Sequence, residues 1–388
     1  MTAPAQPFPT GLEEPAAPRR TRFEEFWRLF RKNRLALVGL AVFLLFFATA
    51  VAGVFLTAGH QPVFDPALVR LQEKLRPPLS LPLSEALAPG EAPPLGVYLF
   101  GTDDLGRDVF ARMLQGAWVS LTVGFVAVGI SVLVGVFLGA MAGYYGQRAI
   151  RLEQLLFTLL LLAGGSLLAG GQIGIGAAML AAGHAWLFFS LSPWGFRRWG
   201  SPPGWVRLLL GRVMQVDTLI MRFVDIMLCF PSFFLILTVV ALLPASMYTI
   251  MIVIGLTSWE GTTRFVRAEF LSLRELDFVA AARALGLSDF RIIFRHITPN
   301  AIAPVLVSAT IGIASAILTE AGLSFLGFGV PPPHATWGNI LSDGKRFIFD
   351  APWLTFIPGV AILLVVLAFN LFGEGLRDIL NPRLRERN

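Results

Sequence analysis

Residues 274–300 read RELDFVAAARALGLSDFRIIFRHITPN, a strongly charged stretch flanked on both sides by apolar runs long enough to cross a bilayer. Phe278, Ala281, Ala282 and Leu285 follow the i, i+3, i+4, i+7 spacing of one helical face. Alanine at the centre makes that face shallow, open to backbone contact without bulk. Gly286 suits the residue after a helix end, where positive φ is needed, and Ser288 suits the cap of a second short helix reaching His296. Pro299 is expected to end that second helix before the next apolar run. A helix–glycine–helix element held at a membrane surface is suited to docking in a partner's groove. An ordinary amphipathic loop would show the same periodicity.

The chain around it is too apolar for a soluble protein. Of 388 residues, 55% are hydrophobic and 14% charged, against about 25% charged in soluble domains. A single cysteine, Cys229, excludes an intrachain disulfide and a cysteine metal cluster. The four histidines have no ligand spacing. A net charge of +6 raises the question of nucleic acid, but the arginines gather at the ends of apolar runs. That pattern reports orientation in a lipid membrane.

Residues 1–34 form a basic arm ending in Arg28, Arg31, Lys32 and Arg34, expected on the cytoplasmic side. Phe23, Phe26, Trp27 and Phe30 suggest an interfacial helix within it. The apolar run begins only at Leu35, which argues against a cleaved signal peptide. Residues 35–57 carry no charge and reach across about 30 Å of hydrocarbon. Residues 58–116, with seven acidic and five basic residues, read as an external loop. It closes on Gly101-Thr102-Asp103-Asp104-Leu105-Gly106-Arg107-Asp108, whose aspartate spacing is wrong for a calcium loop.

Trp118–Ala142 is read as returning inward, with Gly124, Gly129, Gly135 and Gly139 permitting close helix packing. Within 147–215, Leu152–Gly170 and Ile173–Leu191 are apolar, and basic residues stand on both sides. They read as an inserted transmembrane hairpin, with a re-entrant or surface-lying segment as the alternative. Thr218–Leu243 crosses outward, kinked at Pro231, with Arg222 and Asp225 placed to pair. Thr249–Thr263 returns to a cytoplasmic loop at 264–300. Ala301–Leu318 goes out, Glu320–Pro352 lies outside, and Leu354–Phe372 comes back to a cytoplasmic tail at 377–388.

Four segments carry a family resemblance. The string FVAAARALG…RIIFRHITPN resembles the coupling loop of binding-protein-dependent ABC importer permeases. GTDDLGRDVFARM, AGLSFLG with TWGNIL, and APWLTFIPG…AFNLFGEGLRDILNPRLR are similar to the C-type subunits of the dipeptide/oligopeptide/nickel branch. The resemblance covers 35–146 and 216–385 and leaves the 69 residues between without a counterpart. It implies an all-α polytopic helix bundle of the MetI-like type, with six family spans plus the inserted hairpin, in a bacterial or archaeal plasma membrane. The permease domain would occupy 117–376. Two departures stand out: Ala280 replaces the glutamate of the family's loop motif, and Thr298 replaces the leucine before the proline.

No segment offers catalysis. The one Gly-Lys pair, Gly344-Lys345, is followed by Arg346 and has Asn339 where a phosphate-binding loop needs glycine. The resemblance therefore implies that ATP and magnesium belong to one or two partner ATPase subunits and that this chain binds no cofactor. It further implies a second permease subunit and an external substrate-binding protein. Ala280, Ala281, Ala282, Arg283, Gly286, Asp289 and Pro299 would form the ATPase-coupling element. Glu260, Asp225 and Glu320 are ionisable groups in or near spans, hence candidates for the substrate path. Glu260 stands where the C-type permeases have proline. An ion-coupled secondary transporter and a membrane-embedded enzyme are the competing classes. The first expects repeated halves and the second a clustered catalytic set, and neither is visible in the sequence.

Overall fold

The computed structural model describes residues 22–59, 62–83, 87, 92–151 and 212–380, with scattered positions between 161 and 181. It is a bundle built around one long helix. Helices α1 (Arg22–Lys32) and α2 (Arg34–Thr57) lead to α3 (Val109–Tyr145). Strands β1 (Ala149–Arg151) and β2 (Arg212–Gln215) follow. Then come α4 (Val216–Cys229), α5 (Ser232–Leu242), α6 (Met247–Leu256), α7 (Glu260–Leu273) and α8 (Asp277–Ala284). The chain ends in α9 (Asp289–Phe325), α10 (Trp337–Gly344) and α11 (Trp353–Leu380).

Four described helices, α2, α3, α9 and α11, are each long and apolar enough to cross a membrane, and α4 with α5 makes a fifth, bent by 82°. Leucines and phenylalanines such as Leu45, Phe55, Leu133 and Leu242 point outward. In water such faces would associate; in lipid they are at rest.

Helix α3 packs against α2, α6, α7 and α9. Its 37 residues reach about 55 Å, well beyond the hydrocarbon thickness. The expected span began at Trp118, but the helix starts at Val109, capped by the Asp108 carboxylate accepting from the Phe110 amide at 2.9 Å. The charged residue in this added turn is neutralised: Arg112 meets buried Asp103 and, at 2.9 Å, Asp343. Gly106 makes the preceding turn possible at φ +72°, where a Cβ would collide with the Arg70 carbonyl. Trp353 Nε1 donates to Thr102 O at 3.2 Å, fastening this loop to the start of α11. Burial in the same layer pushes the Tyr98 hydroxyl up to about 12.

Glycines set the closest approaches of α3. A Cβ at Gly135 would lie 2.6 Å from Thr262, one at Gly139 2.7 Å from Val266, and one at Gly143 2.4 Å from Phe270. The α3–α7 seam therefore runs on 135, 139 and 143, one helix turn apart. Gly124 meets Ile317 of α9, whereas Gly129 faces open space and takes no part. Composition gave no azimuth, so it could not tell Gly129 from the others.

The expected boundaries shift elsewhere for related reasons. Thr249–Thr263 is not one crossing: α6 stops at Leu256 and α7 begins at Glu260. Pro231, expected to kink a helix, breaks it. The last helix continues through 377 to Leu380. Phe30, read as part of a lipid-facing stripe, is buried against Phe372 of α11; the side chains of Phe23 and Phe26 lie outside the described residues. Most of the 147–215 insertion lies outside them too, but its ends do not: Ala149 pairs with Gln215 and Ile150 with Met214. The insertion thus leaves and rejoins the bundle through one antiparallel ribbon, beside the end of α3. This pair is a small exception to the all-α class.

Candidate coupling element and central cavity

The 274–300 stretch folds at the end of α3. Helix α8 closes with the Leu287 amide donating to Ala282 O at 3.2 Å and the Gly286 amide to Arg283 O at 2.9 Å. This is a Schellman closure, and it requires the φ of +74° that Gly286 adopts. Leu287 then packs against the apolar cluster beneath. Ser288 sits at the N-cap of α9, but its side chain makes no capping bond.

The apolar stripe splits into two faces. Ala282 turns inward with Val279 into the buried cluster that also holds Tyr144, Phe270 and Ile293. It is 4% exposed and does not reach the outer surface, contrary to the expectation that it lines a docking face. Ala280, Ala281, Leu285 and Gly286 are exposed, as is Phe290 in the first turn of α9. An apolar arc this wide has two edges, and periodicity alone does not say which faces the core. Val279 was the missed inward residue.

Arg283 and Asp289, expected to be free for charge contacts, share one internal partner. The Tyr144 hydroxyl donates to Asp289 at 2.8 Å, and the Arg283 guanidinium stands 5.3 Å from the centre of the Tyr144 ring. Arg148 adds an ion pair to Asp289 at 3.1 Å. Arg274 Nη1 donates to Gly143 O at 2.9 Å, so α7 is tied to the same point.

Pro299 does not end a helix. Residues 289–325 are helical throughout, with a π turn over Ile292–Ile297. That wider turn absorbs the proline, which can neither donate nor tolerate the usual carbonyl behind it. Thr298 Oγ1 donates to Ile293 O at 2.9 Å and Asn300 Nδ2 to His296 O at 2.7 Å, so side chains serve carbonyls around the irregular turn. The part of the coupling element from Asp289 onward is consequently continuous with α9, whereas α8 is set off from it by the Gly286 turn.

The three acidic path candidates separate. Glu320 is fully buried in α9, accepting from Ser324 at 2.6 Å and from Ser120 at 3.5 Å. It holds packed helices together and is absent from the walls of the described cavities. Asp225 is half-exposed on α4 and accepts from Arg264 at 2.7 Å, more closely than from the expected Arg222 at 3.7 Å. Arg264 lies 39 positions away, outside any local pattern. Asp217 likewise meets Arg267 through both carboxylate oxygens.

Glu260 alone lines a cavity. A space of about 320 Å³ opens between α3, α5, α9 and the α6–α7 break, walled by Ser131, Ser258, Thr262, Ser308 and Ser315 among apolar residues. The break is stitched by Ser131 Oγ donating to Ser258 O at 2.8 Å and Thr257 Oγ1 to Val253 O at 2.7 Å. Interrupted helices are tolerated at membrane depth where they line a polar cavity and side chains satisfy the freed carbonyls.

Two family models match the chain. Residues 208–386 match the binding-protein-dependent transport system inner membrane component, and residues 21–78 match the N-terminal transmembrane domain of oligopeptide transport permease C. The dipeptide transport system permease protein DppC of Alkalihalophilus pseudofirmus is 34% identical over 98% of this chain and 95% of its own length. DppC of Haemophilus influenzae is 33% identical over 95% of the chain and 97% of its own. The oligopeptide transport system permease protein OppC of Bacillus subtilis is 29% identical over 98% and 100%. The chain belongs to this family. It is a multi-pass membrane permease of the ABC importers, in the C-type dipeptide and oligopeptide branch. The permease models leave residues 79–207 unmatched, which includes most of the insertion.

Proposed function

We propose that this permease forms half of the path of an ATP-driven importer for peptides or similar small solutes, powered by a separate ATPase that docks on 274–300. The observation that carries the reading is the uncovered surface around the Gly286 turn, where Leu285 is 80% and Phe290 71% exposed beside Ala280 and Ala281. The segment is charged and flanked by spans, so it stands in water. Apolar side chains exposed there favour a partner's groove. With Arg283 and Asp289 engaged by Tyr144, docking depends mainly on shape.

The basic arm and 264–300 face the cytoplasm, as do both termini, and the segments 58–116 and 320–352 lie on the outer side, toward a substrate-binding protein. A second, homologous permease closes the other side of the path. ATP and magnesium are held by the ATPase subunits. Their closure displaces the docking element, which moves α9 as a continuous helix and α3 through Tyr144. Access to the central cavity then alternates between the two sides, each state held by different contacts. The names of the relatives support peptides as the solute class.

The test is reconstitution of both permeases and the ATPases in liposomes with binding protein added. Peptide-stimulated hydrolysis and uptake are expected only from the full set. Hydrolysis by this chain alone would overturn the reading.

A further inference from the structure

We infer that the cavity at the α6–α7 break is a subsite for the ammonium group of the transported solute, with Glu260 as its anionic contact; this rests on the importer reading above. Glu260 Oε2 is fully buried and has no hydrogen-bond partner. Leaving a buried polar atom unpaired is costly, more so when it carries charge. The nearest basic side chain on the same helix, Arg264, is one turn away and is bound to Asp225 at 2.7 Å. Among the described residues, no other ionisable side chain lines the cavity. Glu260 stands in the first turn of α7, where the helix dipole favours a negative side chain.

The remaining walls suit the same ligand. An ammonium has three N–H donors, and the cavity wall carries the Glu260 side chain together with the hydroxyl-bearing Ser131, Thr262, Ser308 and Ser315. A carboxylate solute would meet the negative charge of Glu260. The volume of about 320 Å³ lies at the low end for ligand pockets, enough for an amino-terminal residue rather than a whole peptide.

The experiment places a single cysteine at the wall, Ser308→Cys with Cys229→Ser, in the assembled transporter in liposomes without binding protein. Its reaction rates with aminoethyl and with sulfonatoethyl methanethiosulfonate are compared. Relative to their rates with a simple thiol in solution, the ammonium reagent is expected to be favoured by about tenfold, the advantage a nearby opposite charge gives at partly buried sites. Glu260→Gln should bring that ratio down to the value the two reagents show with a simple thiol in solution, and Glu260→Asp should keep most of the excess. A ratio that is the same in Glu260→Gln as in the parent overturns the assignment. Should Glu260→Gln fail to assemble, protection decides: a dipeptide with a free amino terminus must slow the aminoethyl reagent, and its N-acetylated form must not. Equal protection by both also overturns it. Dipeptide uptake by the same transporter, with Ser308 restored and binding protein added, separates the two readings. Absent uptake counts against the importer; normal uptake with an unchanged reagent ratio counts against Glu260 alone.

Discussion

The Tyr144 hydroxyl donates to the Asp289 carboxylate at 2.8 Å, joining the last turn of α3 to the first turn of α9. Tyr144 is buried, whereas Asp289 is half-exposed and shared with Arg148. Partial exposure weakens the bond, so Tyr144→Phe should cost about 1 kcal/mol. The sharper expectation is non-additivity. In a cycle of Tyr144→Phe and Asp289→Asn, thermal unfolding of the purified permease should show the double variant little worse than the worse single one. Additive losses would mean the two residues act separately.

Ala281 and Ala282 are neighbours with opposite surroundings. Ala282→Trp should destabilise the fold by about 1–3 kcal/mol through overpacking against Val279 and Ile293. Ala281→Trp should leave thermal stability unchanged and abolish recovery of the ATPase with the permease. Equal melting temperatures for the two variants would show that α8 is rotated from the position described.

Gly286 combines open space with a left-handed backbone. Gly286→Ala should therefore cost about 1–2 kcal/mol from φ alone, with no steric component. Gly286→Asn, better suited to that conformation, should recover part of it. Thermal melts of the three forms test this ordering, and Asn no better than Ala would contradict it.

The seam between α3 and α7 offers a paired control. Gly143→Ala brings a Cβ to within 2.4 Å of Phe270 and should lower stability by about 1–3 kcal/mol. Gly129→Ala, with nothing within 4 Å, should be neutral or slightly stabilising, since alanine is the better helix former. Detergent melts of both variants distinguish a packed seam from a merely glycine-rich one.

Orientation is accessible to labelling. In a Cys229→Ser background, Leu81→Cys should react with an impermeant thiol reagent applied outside intact cells, and Leu285→Cys only after permeabilisation. Both positions are well exposed, at 69% and 80%, so protection cannot be blamed on burial. The reverse pattern would invert the proposed topology. A cysteine at position 172, outside the described residues, reports on the insertion: labelling from outside is expected if it spans.

Some of this molecule was legible from residue order alone. Membrane residence followed from long uncharged runs, because lipid admits few charges whatever the helices do afterwards. The Gly286 turn was legible because a positive φ is a local demand that one residue type meets best. The family was visible in contiguous strings around Gly286, Gly101 and Trp337. The rest depended on which way each helix is turned. Ala282 faces inward and Ala281 outward because α8 leans on Tyr144 and Ile293, residues of two other helices. Gly129 is idle and Gly143 is critical for the same reason. Pro299 continues a helix because Thr298 and Asn300 serve carbonyls around a π turn, a solution no proline rule anticipates. Glu320, Asp225 and Glu260 looked alike as acids in apolar runs. Only packing made the first a core fastener, the second the partner of Arg264, and the third the one of these three that lines the cavity. Local conformation is set by neighbours in sequence; a side chain's surroundings are set by helices that arrive from a hundred residues away.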